Sequence, residues 1–174
     1  AAAGRGPAVE LDPTHVVVLG EGASRQVFMG DERELFERAV DEFNHANWLA
    51  ALRLYDKLLE LYPDSINADL MRYNRGVIVL TIEDFRSAVA DFRFAAAHAD
   101  RDKDRRDARF QLAVALMGME DWWRAGELLE ALLAEGELRV AGHVEALVRA
   151  GICHQRAARF FEAERSYKEA VRLY

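Results

Sequence analysis

The chain has 174 residues, 51% of them apolar, and a formal net charge of −7. That is enough apolar sequence for one packed domain and too much for a disordered tail. The acidic balance argues against a general nucleic-acid binder, which needs a basic face toward phosphate. The only cysteine, Cys153, excludes an internal disulfide.

The first thirty residues differ from the rest. Ala1 to Pro7 reads as a flexible lead, His15 to Leu19 as a β-branched strand, Gly20 to Ser24 as a turn and Arg25 to Met29 as a returning strand. A lone hairpin is marginal in water, so such an arm has to pack on the following helices, on a partner or in a neighbour's groove. Leu19-Gly20-Glu21-Gly22-Ala23-Ser24-Arg25-Gln26-Val27 has the outline of a kinase glycine-rich loop. Arg25 replaces its third glycine, and no strand lysine, catalytic-loop or metal-binding motif follows. A turn between two extended pieces is the simpler reading. No apolar stretch reaches membrane-spanning length, so direct membrane insertion is not expected, and no secretory leader pattern is seen.

From residue 31 onward Ala, Leu, Arg and Glu dominate, all helix formers, and the sequence repeats. Ala51, Ala88, Ala125 and Ala163 are separated by 37, 37 and 38 residues. Three positions earlier stand Trp48, Phe85, Trp122 and Phe160, and four positions later Tyr55, Phe92, Leu129 and Tyr167. Twelve positions earlier stand Ala39, Gly76, Ala113 and Gly151. Each row keeps one chemical type, the mark of stacked supersecondary units. Phe36, Ala39, Val40 and Phe43 share one helix face, as do Tyr73, Gly76, Val77 and Leu80, and Phe110, Ala113, Val114 and Met117. These are the first helices, A, of each pair. The second helices, B, carry the aromatic-Ala-large pattern, and the small residues of A and B are expected to let the two backbones approach.

Asn47, Asp84 and Asp121 precede the B helices as N-caps, and Arg159 occupies that place without capping chemistry. Asp31 and Glu34 have the spacing of a capping box, and Pro63 stops the first B helix.

This pattern resembles the tetratricopeptide repeat family over residues 31–174. The resemblance implies an all-α fold, a right-handed α-solenoid of about four helix–turn–helix repeats near 31–65, 66–104, 105–140 and 141–174, with the N-terminal arm at 1–30. The usual unit is 34 residues, so the surplus is expected in loops between one pair and the next. Leu61-Tyr62-Pro63-Asp64-Ser65 is similar to repeat ends of bacterial envelope members, such as the lipoprotein of the outer-membrane β-barrel assembly machine and the periplasmic cell-division coordinator. That similarity favours an envelope or periplasmic setting over the cytoplasm.

The resemblance further implies a protein–protein interaction scaffold within a multiprotein assembly, whose concave face of A helices holds an extended peptide or a helix. The alternative is a regulatory or chaperone-type peptide receptor. Transferred by the repeat register, the groove would be lined by Phe36, Val40, Asn44, Tyr73, Asn74, Val77, Phe110, Gln111, Val114, Arg149 and Arg156. Phe36 and Val40 occupy the places where one subgroup clamps a C-terminal carboxylate, so that reading does not fit. Arg72, Arg75 and Arg109 stand at matching A-helix places, to meet an acidic partner or to pair with Asp and Glu of the next repeat. Trp123, beside the repeat aromatic Trp122, either covers the neighbouring repeat or is an exposed hot spot.

No enzymatic activity, catalytic residue, cofactor or metal site is expected. His143-Val144-Glu145 has the spacing of a zinc deaminase motif but lacks its downstream cysteine pair. Cys153 and His154, adjacent on a helix, point about 100° apart and cannot readily share a metal. The run Asp100 to Asp107 reads as a solvated inter-repeat loop entering the third A helix. The last B helix has no polar capping helix after it. Further repeats, a partner, or homo-oligomerisation through this end or the N-terminal arm would cover Phe161, Val171 and Tyr174.

Overall fold

The computed structural model describes residues 14–19, 25–136 and 138–174. The lead read over 1–7 and the turn read over 20–24 lie outside the described residues. Among the described residues two strands are followed by eight helices: β1 His15–Leu19, β2 Gln26–Gly30, α1 Glu32–Asn44, α2 Trp48–Leu61, α3 Ala68–Thr81, α4 Phe85–His98, α5 Asp102–Gly118, α6 Trp122–Glu135, α7 Val140–Arg156 and α8 Phe160–Leu173. They are A and B helices in alternation. The chain divides into two compact units, one ending at Ser65 and the other running from Ile66 to Tyr174.

In the first unit β1 and β2 pair antiparallel, with Val17 opposite Phe28 and Val16 opposite Met29. Side chains alternate across a strand. One hairpin face therefore turns to the helices: Val17 is buried, His15 meets the Tyr62 ring edge-on at 5.5 Å, and Arg38 lies over Phe28 at 5.4 Å. The opposite face leaves Val16, Val18, Val27 and Met29 exposed. The arm, too small to stand alone, is ordered by packing on α1 and α2. The predicted capping box is present: Asp31 accepts from the Glu34 N–H at 2.9 Å, and Glu34 accepts from the Asp31 N–H at 3.2 Å.

In the second unit each helix from α3 to α8 packs on its neighbour in the chain, and α3 also touches α5. The alanine row is the core of the repeats: Ala51, Ala88 and Ala125 are fully buried and Ala163 nearly so. The flanking large residues close over the small residues of the A helices. Gly76 and Gly151 lie under the large residue four positions after the alanine, so a Cβ on Gly76 would come within 2.9 Å of the Phe92 ring and one on Gly151 within 2.5 Å of Tyr167.

Each A-to-B turn uses the same backbone device. Ala46, Glu83, Glu120 and Ala158 have φ of 58°, 63°, 60° and 59°, at the repeat spacing. The N–H of the following residue returns to a carbonyl five positions back, as in Asp121 to Leu116 at 2.9 Å and Arg159 to His154 at 2.8 Å. This is the 6→1 bond that satisfies a helix's last carbonyls. Asp84 and Asp121 then cap the B helices, accepting from the Ser87 and Arg124 N–H groups. Asn47 does not: its Nδ2 donates to Glu42 Oε2 at 2.7 Å instead, because Glu42 is buried and needs donors. Arg159 makes no cap, as expected.

The surplus residues lie in the inter-pair loop, as expected, only between the first two repeats, where residues 62–67 join α2 to α3; in the later repeats they lengthen the A helix instead. α5 and α7 have 17 residues against 13 and 14 in α1 and α3. Most of the run from Asp100 to Asp107 is therefore helix. Its charges pair along that helix, Arg105 with Asp102 and Lys103 with Asp107 at 2.8 Å, and Asp102 and Asp104 favour its N-terminus.

Candidate partner-binding face

Of the residues read from the register as groove-lining, Phe36, Val40 and Asn44 stand on α1 in the first unit. The second unit brings the others onto its A helices: Tyr73, Asn74 and Val77 on α3, Phe110, Gln111 and Val114 on α5, and Arg149 and Arg156 on α7. All of these are half-buried except Arg156, which is exposed. Tyr73 is anchored by an edge contact to Phe92 at 5.7 Å. The Arg149 guanidinium lies 5.7 Å above the Phe110 ring and bonds Glu145, and Arg156 lies 5.5 Å above Trp122. Arginines over aromatic faces hold an electrostatic contact while keeping donors available.

Arg156 shares its repeat position with Gly118, which lies so close to the Phe85 ring that a Cβ would clash with it. In both places the residue covers the first aromatic of the preceding B helix.

The arginines read as facing an acidic partner or the next repeat pair within their own hairpins. Arg75 grips the fully buried Asp91 of α4 with two bonds, at 2.8 and 2.6 Å, while Arg72 approaches it at 3.4 Å and lies 4.4 Å above Phe94. Arg109 pairs with Glu135 of α6 at 2.5 Å. Trp123 remains exposed, with Arg159 4.8 Å above its ring.

A cavity of about 600 Å3 opens between the first halves of α3 and α5, with the last turn of α4 as its floor. Leu70, Tyr73, Ala95 and Ala99 supply apolar surface, and Asp69, Asp100, Asp104 and Asp107 supply carboxylates. Burial, then the charges of Asp107 and Asp104, push the Tyr73 phenol above its ordinary pKa. Of these residues the register identified only Tyr73. The alanines look like ordinary helix formers, and Asp100, Asp104 and Asp107 belong to the run read as solvated.

The lone cysteine is buried, and burial raises its pKa to about 11. His154 is buried beside it, its Nε2 3.1 Å from Glu130 Oε1, and Glu130 accepts a hydrogen bond from Arg165 at 2.9 Å. Among the described residues no group of His, Cys, Asp and Glu could hold a metal ion, and no helix is long and apolar enough to cross a membrane.

No protein-family model and no curated protein matches the sequence. Solved structures do. MamA from Desulfovibrio magneticus RS-1, from residue 41 to its end, superposes with a TM-score of 0.68 over 82% of this chain and 75% of that one, at 19% identity. BtubC from P. vanneervenii gives 0.69 over 82% and 62%, at 18% identity. A TPR repeats protein from Bacteroides fragilis gives 0.55 over 80% and 62%, at 20% identity. The fold is that of the tetratricopeptide repeats. Within it, the repeat's A helices carry the Tyr73, Phe110 and Arg149 surface and its B helices the buried alanine row.

Proposed function

We propose that the chain is a protein-interaction scaffold and that the A-helix face of its second unit receives the partner. The observation that carries this reading is the incomplete closure between α3 and α5. Successive A helices in a packed array need leave no space, yet here a cavity of about 600 Å3 stands beside half-buried Tyr73. Cavities of this size are where ligands are held, and this one joins an apolar floor and wall to a charged rim. The fold shared with MamA, BtubC and the Bacteroides TPR protein is compatible with such a role. The envelope setting is supported by the run Leu61 to Ser65 alone and is tested by fractionating the native host.

The test is a Tyr73→Ala/Phe110→Ala variant in affinity purification from the native host with cross-link mapping. Retained helical circular dichroism with loss of cross-links to α3 and α5 supports the reading. Unchanged partners, or cross-links confined to the hairpin arm or the B helices, overturn it.

A further inference from the structure

We propose that the cavity between α3 and α5 is a peptide subsite that takes an apolar side chain flanked by Lys or Arg. This deepens the scaffold reading above and rests on it. The cavity is lined by residues of one unit alone, so it is complete within the second unit. Its floor is made of short side chains, Ala95 and Ala99, where α4 ends, and its wall of Leu70 and the Tyr73 ring. A groove whose depth comes from alanines accepts an inserted side chain, because nothing there is long enough to fold over and fill it. Leu70 is already exposed and stands at the entrance with Ile66.

The rim fixes the charge of the occupant. Four carboxylates line it against two cations. Those cations are spent on the rim itself, Arg101 on Asp104 at 2.6 Å and Lys103 on Asp107 at 2.8 Å. The carboxylates of Asp69 and Asp100 form no ion pair among the described residues; Arg105 donates to the Asp100 backbone carbonyl at 2.9 Å and pairs with Asp102. Two helix N-termini also open here, but α3 already carries Asp69 in its first turn and α5 carries Asp102 and Asp104. Their fields are answered within the chain, which leaves the carboxylate excess to face outward. A cleft with low-dielectric walls concentrates such a field, and interfaces pair unlike potentials. An acidic segment is repelled here and a basic one drawn in. The raised pKa of Tyr73, to which Asp107 and Asp104 contribute, is consistent with that field reaching the wall.

The experiment uses the full chain, isotopically labelled, and two blocked heptapeptides. One carries a leucine between two arginines, and the other the same leucine between two glutamates. Amide shifts in two-dimensional NMR are followed in the wild type, in D69K/D100K and in D69N/D100N. Expected are saturable shifts centred on Leu70, Tyr73 and Ala99 with the arginine peptide, at least tenfold weaker binding of the glutamate peptide, loss of the preference in D69N/D100N and its reversal in D69K/D100K. Equal binding of the two peptides, or a preference unchanged in both variants, overturns the inference. Shifts confined to Phe110 and Arg149 without charge preference also overturn it, but leave the A-helix reading standing. Shifts confined to B helices would sink both.

Discussion

The Phe92 ring occupies the space where a side chain on Gly76 would stand: a Cβ there would be 2.9 Å from ring carbon Cε1. The matching pair in the fourth repeat is tighter, with Tyr167 2.5 Å from a Cβ on Gly151. In the first and third repeats the same two positions hold Ala39 with Tyr55 and Ala113 with Leu129, all four fully buried. Gly76→Ala should therefore cost about 1–3 kcal/mol through overpacking, less roughly 1 kcal/mol regained from helix propensity. Adding Phe92→Leu recreates the Ala113–Leu129 pairing and should recover part of the loss. Urea unfolding of the single and double variants checks this. Additive losses, with no recovery in the pair, would show that the ring is not what excludes the methyl.

The four left-handed turn residues are the second place where the chain departs from ideal chemistry. Ala46, Glu83, Glu120 and Ala158 all have φ near 60°, where a Cβ crowds the following carbonyl at a cost of roughly 1–2 kcal/mol. Glycine is the usual occupant of this position. Glu83 and Glu120 are exposed, and neither side chain makes an ion pair among the described residues. Glu83→Gly and Glu120→Gly should each stabilise the fold by about 0.5–1 kcal/mol, raising the thermal midpoint additively because the turns are separate. A lowered midpoint would mean that the glutamates contribute something the backbone geometry does not reveal.

These two relationships mark what the sequence can disclose. The alanine row was legible because burial forces one chemical type at a fixed spacing. How tightly the columns meet was not, since the closeness of Gly76 and Phe92 is set by the crossing of two helices rather than by any local pattern. The turns were hidden for a different reason: the left-handed position is filled by Ala and Glu, which carry no turn signal. The hairpin strands could be read from their β-branched residues, but their packing on α1 and α2 needed the His15–Tyr62 and Val17 contacts. The α3–α5 cavity was invisible because it is made by the shortness of Ala95 and Ala99, and an absence of side chain has no motif.

Asp91 is a carboxyl in a buried column otherwise filled by leucine and serine. Its repeat equivalents are Leu54, fully buried, Leu128, half-buried, and Ser166, nearly buried, and Asp91 itself has no exposed surface. The two-pronged bond from Arg75, with Arg72 alongside, makes this tenable. Removing the carboxylate alone, in Asp91→Ala, should cost about 3 kcal/mol, because it strips the arginines of their partner and opens a hole. Asp91→Leu with Arg72→Met and Arg75→Met gives the position the leucine of its first and third equivalents and should regain most of that loss, since a buried ion pair is often replaceable by well-packed apolar side chains. Chemical denaturation of both variants measures it. A triple variant no more stable than Asp91→Ala would show that the arginines hold α3 and α4 together by contacts other than the one to Asp91.

The remaining prediction concerns Cys153, packed against Gly126 and fully buried. Burial lifts its pKa from an ordinary value near 9 to about 11. Only the thiolate is nucleophilic, so at pH 8 the folded chain should hold about one hundredth of the usual thiolate fraction. Ellman's reagent should leave the native protein untouched and titrate one thiol in guanidinium. The sign of the stability effect follows from proton counting. Below pH 9 folded and unfolded chains both keep the proton, so the thiol adds no slope. Between about pH 9 and 11 the unfolded chain loses it while the folded chain retains it, and stability falls as pH rises. Tyr73 and Tyr167, whose pKa values are also raised by burial, push in the same direction at higher pH. The difference between wild type and Cys153→Ala therefore isolates the thiol: the variant should lose stability less steeply from pH 9 to 11. Parallel curves over that range, or rapid modification of the native thiol at pH 8, would place Cys153 in contact with solvent and contradict its burial between α6 and α7.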